Sequence, residues 1–232
     1  MASRLVIPDR DLRVLEFAAE MYGVPMSLAA ELIAADPASV DTDGGRRKAL
    51  NVKNSETVAR RTAARLEAGH LARRVTVRRE PWLVPTGPGL ALATAEGQEE
   101  PYELWHPVAW KLEHVAATAR LRLHLAKQRP EATWISERAI RRRWKNDSPE
   151  ARVRKCDGGL RWPDGTATGV EVELHVKGEH LYQGIVADRD QEWDTGIWWY
   201  CPAGDMQRLS RYLEAAGGFD HKVHELPEGV TL

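Results

Sequence analysis

The pattern of apolar and polar positions in the first 95 residues predicts three helices followed by two strands. Apolar residues recur at helical spacing in three segments, and Ser27 and Ser55 stand where helix N-caps are expected. A shorter segment of alternating residues then favours a β-hairpin. The predicted elements are helices over 11–21, 28–35 and 55–69, the last ending at a glycine, and strands over 71–79 and 81–86.

The remaining pattern mixes helices and strands in a different order. The acidic stretch 96–103 is typical of a connection between domains. We therefore predict a two-domain α+β or α/β protein, with a first domain over 1–95, a linker over 96–106 and a second domain over 107–232. The predicted elements of the second domain are helices over 107–128, 177–191 and 205–216, a short strand from 134, a hairpin around 161–174, a buried strand over 195–201 and an edge strand over 223–226.

The second hairpin contains carboxylates at strand spacing. Glu171 and Glu173 share one face because side chains at i and i+2 point the same way, while Val170, Val172 and Leu174 point into a core. Asp164 lies across a glycine-containing turn from this pair. Three converging carboxylates are the hard oxygen ligands of Mg²⁺ or Mn²⁺, so we predict a metal site at Asp164, Glu171 and Glu173. The alternative is an Asp-Gly turn beside an edge strand with one solvated face.

Composition changes this picture little. The chain has 232 residues, of which 43% are hydrophobic and 29% charged, as in ordinary globular proteins. No apolar run approaches the roughly 20 residues of a membrane span, and the N-terminus lacks a secretory pattern. Two cysteines provide neither a disulfide framework nor a zinc quartet. We expect a cytoplasmic protein with no membrane partner, and the lack of a Walker loop argues against ATP-driven activity.

Charge is strongly segregated along the chain although the net charge is only −1. Residues 44–79 carry eleven Lys and Arg against two Glu, a net of +9. Residues 138–155 carry a net of +6, and residues from 156 onward a net of −8. Basic segments can hold phosphates, and an acidic segment can hold cations. Solvated charged faces are the simpler alternative.

Three helices followed by a basic hairpin is the element order of a winged helix-turn-helix. Residues 65–73 resemble the join between recognition helix and wing in that superfamily, and residues 86–91 resemble the turn after the wing. The resemblance implies a third helix in the major groove, a wing on the backbone and often a homodimer on paired half-sites. A winged helix used for protein contacts is the alternative. The residues predicted to bind double-stranded DNA are Arg60, Arg61, Arg65, Arg73, Arg74, Arg78 and Arg79.

A second basic segment precedes the carboxylate hairpin. Its positive charges alternate with Ile140 and Trp144, so we predict that it places phosphate-binding charge beside the metal site. A solvated basic face explains the same pattern. The residues predicted to contact DNA here are Arg141, Arg142 and Arg143.

Residues 107–216 resemble the core of the PD-(D/E)xK nuclease-like superfamily. Pro163-Asp164 fits the first half of the motif, and Glu171-Val172-Glu173 fits the second with Glu at the usual lysine position. Lys177 stands where a displaced lysine occurs in other members. The resemblance implies that Asp164 and Glu171 ligate the metal, that Glu173 is a third ligand or a base, and that Lys177 stabilises the transition state.

A winged helix joined to such a domain resembles the replication-relaxation family of plasmids and conjugative elements. The resemblance rests on residues 66–73, 134–138, 163–165 and 170–177. It implies a DNA-handling role in replication, mobilisation or conjugation, with proteins of those processes as partners. Two functions stay open: a metal-dependent nickase or nuclease, and a non-catalytic DNA-binding regulator or replication accessory protein whose second domain serves assembly. Glu113 and Glu137 are candidates for an additional carboxylate, and His175 is expected to be a surface residue.

Overall fold

The computed structural model describes residues 7–35, 40–41, 48–49, 52–94, 101–106, 108–145, 156–189, 193–218 and 220–230. Helices and β-sheets are both present, so the chain is α+β. It forms two compact units, Met1–Leu112 and Glu113–Leu232. Among the described helices, none has the length and apolarity that a membrane span requires.

The first unit combines four helices with a small antiparallel sheet. Strand β5 lies between β1 and β4 in that sheet, and β4 and β5 form a hairpin. A two-residue pair, β2 with β3, precedes α3. The elements are α1 Asp9–Glu20, β1 Val24–Pro25, α2 Met26–Ala35, β2 Val40–Asp41, β3 Lys48–Ala49, α3 Val52–Ala68, β4 Ala72–Val77, β5 Glu80–Pro85 and α4 Gly87–Ala93.

The core of the first unit forms because the apolar faces of the helices meet the inner face of the hairpin. Leu15 of α1, Leu28 of α2, Leu66 of α3 and Trp82 of β5 are all nearly inaccessible to solvent. Ser55 lies inside α3 and is buried, so it is not the N-cap that the sequence predicted.

The end of α3 also differs from prediction. The left-handed residue after the helix is His70, with φ of 57°, and not Gly69.

The predicted linker is partly incorporated into the first unit. Tyr102 is buried with Ala19 and Leu90, and the ring of Trp105 lies 5.4 Å from that of Tyr22. Residues 95–100 lie outside the described part.

The second unit is a five-stranded mixed sheet with helices on both faces. The strand order is β10-β9-β8-β7-β6, antiparallel from β6 to β8 and parallel from β8 to β10. The elements are α5 Ala109–Gln128, β6 Thr133–Ser136, α6 Glu137–Lys145, β7 Gly158–Arg161, β8 Ala167–Val172, α7 His180–Arg189, β9 Ile197–Cys201, α8 Met206–Ala215 and β10 His221–Glu225.

Strand β8 is the central strand, and side chains on both of its faces are buried. Val170 and Val172 pack with Leu121 and Leu125 of α5 on one face. The opposite face, under α7 and α8, is filled by residues including Tyr182. Because β8 is hydrogen-bonded on both sides, the solvated edge strand considered for Glu-Val-Glu does not occur.

Candidate active site and arginine surface

The register of the β7–β8 hairpin determines which carboxylates meet. Arg161 pairs with Ala167 and Gly158 pairs with Val170, so the next position along the hairpin brings Asp157 opposite Glu171. The carboxylate of Asp157 confirms this placement, because its Oδ2 accepts a hydrogen bond from the backbone N–H of Val172 at 2.8 Å. Asp157, which directly precedes β7, therefore lies beside the Glu171–Val172 end of β8.

Asp164 lies at the other end of the hairpin, which corrects the predicted metal triad. Its Oδ1 accepts hydrogen bonds from the backbone N–H of Thr166 at 3.0 Å and from the Thr166 hydroxyl at 2.7 Å. These bonds hold the pKa of the exposed Asp164 carboxyl below its ordinary value. Four strand residues separate the turn from Glu171, a distance of about 13 Å. Pro163-Asp164-Gly165 is thus the hairpin turn, and Asp157 takes the place assigned to Asp164.

His114 of α5 is a part of this site that the sequence did not reveal. Its Nε2 lies 2.7 Å from Oδ1 of Asp157. The negative charge of Asp157 raises the pKa of His114 to about 9, with smaller contributions from the charges of Glu171 and Glu137, against the opposing effect of burial. The imidazole is therefore a cation at neutral pH, paired with the carboxylate of Asp157.

Glu173 faces a different set of partners. It is only 4% exposed, and the ammonium of Lys177 donates a hydrogen bond to its Oε2. Burial, together with the negative charge of Glu173, raises the pKa of the nearby Tyr182 hydroxyl. The sequence predicted that α7 begins at Lys177. That prediction was wrong, because Lys177 precedes the helix. Glu173 is therefore neutralised by Lys177 and is poorly placed as a third metal ligand.

Helix α6 brings a further ion pair toward His114. Ser136 caps the helix through a 3.1 Å bond from the backbone N–H of Ala139. Glu137 then pairs with Arg141, whose Nη2 lies 2.6 Å from Oε1. Arg142 is half-buried. Of the other predicted residues, Glu113 is half-buried and His175 is exposed, and Arg143 lies in α6 with its side chain outside the described part.

A glycine pair beside the two carboxylates makes room for an indole ring. Gly159 and Gly169 face each other across β7 and β8. A Cβ on Gly159 would lie 2.4 Å from the ring of Trp193, and one on Gly169 would lie 2.9 Å from it. The ring therefore packs directly on the backbone of Gly159 and Gly169. These glycines are two residues away from Asp157 and Glu171, respectively.

Asp157 and Glu171 supply the carboxylate oxygens that a hard divalent cation prefers, but both oxygens of Asp157 already have partners, in His114 and in the backbone N–H of Val172. Mg²⁺ is commonly held by one or two carboxylates, with water and substrate phosphate completing its shell. Within the described residues, no group of three or more His, Cys, Asp or Glu side chains has metal-binding geometry, so the predicted three-carboxylate site is not formed. Asp157 and Glu171 would hold Mg²⁺ or Mn²⁺, and a bound ion would supply Lewis-acid polarisation of a phosphate.

The predicted DNA-binding residues of the first unit divide into two groups. Arg60 and Arg61 are exposed on α3, and Arg73 and Arg74 are exposed on β4. Arg74 is held by Glu67, with 2.7 Å between Nε and Oε2. The second group, at the hairpin turn, is Arg78 and Arg79, both exposed and both with positive φ, of 48° and 72°. These six side chains lie on α3 and its adjoining hairpin.

Arg65 has a structural contact that the sequence did not predict. Its Nε lies 2.6 Å from Oδ2 of Asp11, which is fully buried, and Thr62 donates a further bond to Asp11 at 2.7 Å. Burial alone would raise the pKa of Asp11, but the bonds from Arg65 and Thr62 and the charges of Arg65 and Arg10 hold it below its ordinary value. Arg65 thus joins α3 to α1, which corrects its assignment as a purely DNA-facing residue.

The chain matches no family model, no curated protein and no solved structure. The resemblance to the replication-relaxation family therefore stays a prediction that rests on the motifs described above.

Proposed function

We propose that the protein binds double-stranded DNA through its first unit, used as a winged helix. In this proposal α3 is the recognition helix and the β4–β5 hairpin is the wing. The observation that supports it is the set of exposed arginines on these two elements, within a segment of net charge +9. Arginine is well suited to phosphate and to guanine edges. A surface that docks another protein would not need this many positive charges on two neighbouring elements.

A duplex-binding titration tests this proposal. The full chain is titrated into a fluorescent 25-base-pair duplex at several salt concentrations, together with Arg60→Ala/Arg61→Ala. We expect weaker binding and a salt slope smaller by about 1.8, since each phosphate contact contributes about 0.9. Arg208→Ala/Arg211→Ala, exposed arginines of α8, is the matched control. Equal affinities for the three proteins would contradict the role of α3.

A second candidate function is metal-dependent cleavage of a phosphodiester in the bound DNA. The specific observation in its favour is that Asp157 and Glu171 lie together at one end of the hairpin, with the Lys177 ammonium bound to Glu173, two residues beyond Glu171. Asp157 and Glu171 hold the cation, and Lys177 supplies positive charge toward a phosphate. Without cleavage, the second unit serves as an assembly module of a DNA-binding regulator.

Plasmid relaxation separates these two functions. Supercoiled DNA is incubated with Mg²⁺ or Mn²⁺ and the wild-type chain, Asp157→Asn, Glu171→Gln or Asp164→Asn. Cleavage predicts that the first two substitutions abolish relaxation and that Asp164→Asn, on the remote turn, retains it. Loss of relaxation in Asp164→Asn alone would refute the corrected site. Intact supercoiled DNA with all four proteins, beside tight duplex binding, would favour the regulator.

We also propose that this DNA-handling role belongs to a mobile element, in replication, mobilisation or conjugation. The support is the motif resemblance, together with the DNA-binding and cleavage roles proposed above for the two units of one chain. A homodimer on paired half-sites is part of the proposal. Light scattering of the protein with a palindromic duplex would give a mass of two chains per duplex, and one chain per duplex would contradict it.

A further inference from the structure

Tyr182 occupies a central place in the contacts that follow β8. The backbone N–H of Lys177 donates to its hydroxyl oxygen at 3.1 Å. Burial and the negative charge of the Glu173 carboxylate raise the pKa of this hydroxyl, and that carboxylate accepts a bond from the ammonium of Lys177. The backbone of Lys177 is thus held by Tyr182 and its ammonium by Glu173.

The ring of Tyr182 fixes the position of that hydroxyl. Tyr182 is fully buried in the core under α7 and α8. Its ring centroid lies 6.0 Å from that of Trp199 and 5.9 Å from that of Tyr212. A close-packed aromatic ring has little freedom to move, so the core determines where the hydroxyl can hold the segment from Glu173 to Lys177.

Lys177 needs such support because it belongs to neither neighbouring element. Strand β8 ends at Val172 and α7 begins at His180. Its side chain is 38% exposed, whereas that of Glu173 is 6% exposed. An ion pair with one exposed member holds a long side chain weakly. The backbone bond to Tyr182 adds a restraint that the ion pair lacks.

We propose that Tyr182 is a positioning residue that holds the Lys177 ammonium beside the Asp157–Glu171 site, an inference that rests on the proposed phosphodiester cleavage. The hydroxyl accepts the bond from the Lys177 N–H and so fixes the backbone from which the Lys177 ammonium reaches Glu173. Lys177 then presents its charge from a defined position, as a group that stabilises developing negative charge must do.

Removal of the hydroxyl isolates this role. Tyr182→Phe retains the ring packing, but the Lys177 N–H loses its acceptor. Lys177 is then held by the ion pair alone. We expect its ammonium to become more accessible to an amine-reactive reagent, by roughly fivefold if one hydrogen bond of ordinary strength is lost.

Limited acetylation of the full-length protein measures this accessibility independently of any cleavage. Sulfo-NHS-acetate is the probe, mass spectrometry gives the rate at Lys177, and the exposed Lys127 is the internal reference. Tyr212→Phe is the matched control, because its ring packs on Tyr182 without contributing to the bonds described above. Glu173→Gln weakens the same contact from its other end. We expect faster labelling of Lys177 in Tyr182→Phe and Glu173→Gln, and a wild-type rate in Tyr212→Phe.

Kinetics on plasmid DNA provide the second measurement. Tyr182→Phe should lower kcat by roughly fivefold with KM unchanged, since duplex binding belongs to the first unit. In a Lys177→Ala background it should cause no additional loss. An unchanged Lys177 labelling rate in Tyr182→Phe overturns the positioning role whether or not DNA is cut. Faster labelling in a wild-type protein that does not cut supports positioning and refutes cleavage.

Discussion

The turn between β4 and β5 offers a prediction in which stability and DNA binding change in opposite directions. Val77 pairs with Glu80, so the loop contains only Arg78 and Arg79, and both have positive φ. A two-residue loop with positive φ at both positions is a type I′ turn, for which Asn-Gly is the preferred sequence. Two arginines at these positions therefore retain a conformation that their Cβ atoms disfavour.

The size of this effect follows from backbone sterics. A left-handed residue other than glycine or asparagine costs about 1 kcal/mol. Replacing the pair by Asn-Gly removes about 2 kcal/mol of strain, of which the greater freedom of glycine in the unfolded chain offsets up to about 1 kcal/mol. Arg78→Asn/Arg79→Gly should thus stabilise the first unit by about 1 kcal/mol, which raises its Tm by about 4–8 °C.

Calorimetry of the full chain, with hydrogen exchange to assign the transition of the first unit, measures the gain. The duplex titration should show the opposite change, with weaker binding and a salt slope smaller by about 1.8. Arg78→Lys/Arg79→Lys is the control, because it keeps both charges and both strained positions. A lower Tm in the Asn-Gly variant would refute the strain argument. Unchanged duplex affinity would show that the turn does not contact phosphate.

Three further predictions concern other contacts. Asp11→Asn should destabilise the first unit by about 2 kcal/mol in urea, because Asn cannot accept both bonds from a charged Arg65. His114→Gln should remove a pH dependence of stability: with its folded pKa raised to about 9, the stabilisation is complete below the ordinary pKa and lost as pH rises through 9. A pKa shift of this size corresponds to a stabilisation of about 3 kcal/mol. Because the His114 side chain is 39% exposed, solvent screening reduces this to about 1 kcal/mol. The measurement compares the free energies of unfolding of the two proteins at pH 6 and at pH 10. Gly169→Ala should displace the Trp193 ring and cost about 1–3 kcal/mol, which tryptophan fluorescence and urea unfolding would detect; an unchanged emission spectrum would contradict the packing.

Apolar periodicity predicted most elements of both units, because helices and strands with one buried face leave a local pattern in the sequence. The short strand β1 was missed, since Val24 and Pro25 form a strand only through pairing with β5. Helix α7 was predicted to begin at Lys177 but begins at His180. The backbone N–H of Lys177 is bonded to the Tyr182 hydroxyl, and apolar periodicity does not indicate such a side-chain contact.

The candidate site was predicted only in part. Glu171 and Glu173 follow from strand alternation, but their partners depend on the hairpin register. If the hairpin is centred on Asp164, counting outward from it pairs residue 171 with residue 157, whereas a centre between Asp164 and Gly165 would pair residue 171 with residue 158. His114 was beyond such reasoning, because it reaches Asp157 from a helix 43 residues earlier in the chain.

The central position of β8 has a consequence for how the candidate site responds to thermal fluctuation. An edge strand can detach locally, but a strand paired on both sides is released only when much of the sheet opens. The backbone that holds Glu171 should therefore exchange its amide protons on the slowest timescale of the second unit. A cation or phosphate arriving at this point meets carboxylates whose spacing is already set, and any adjustment must come from the Leu174–Glu179 segment that follows the strand.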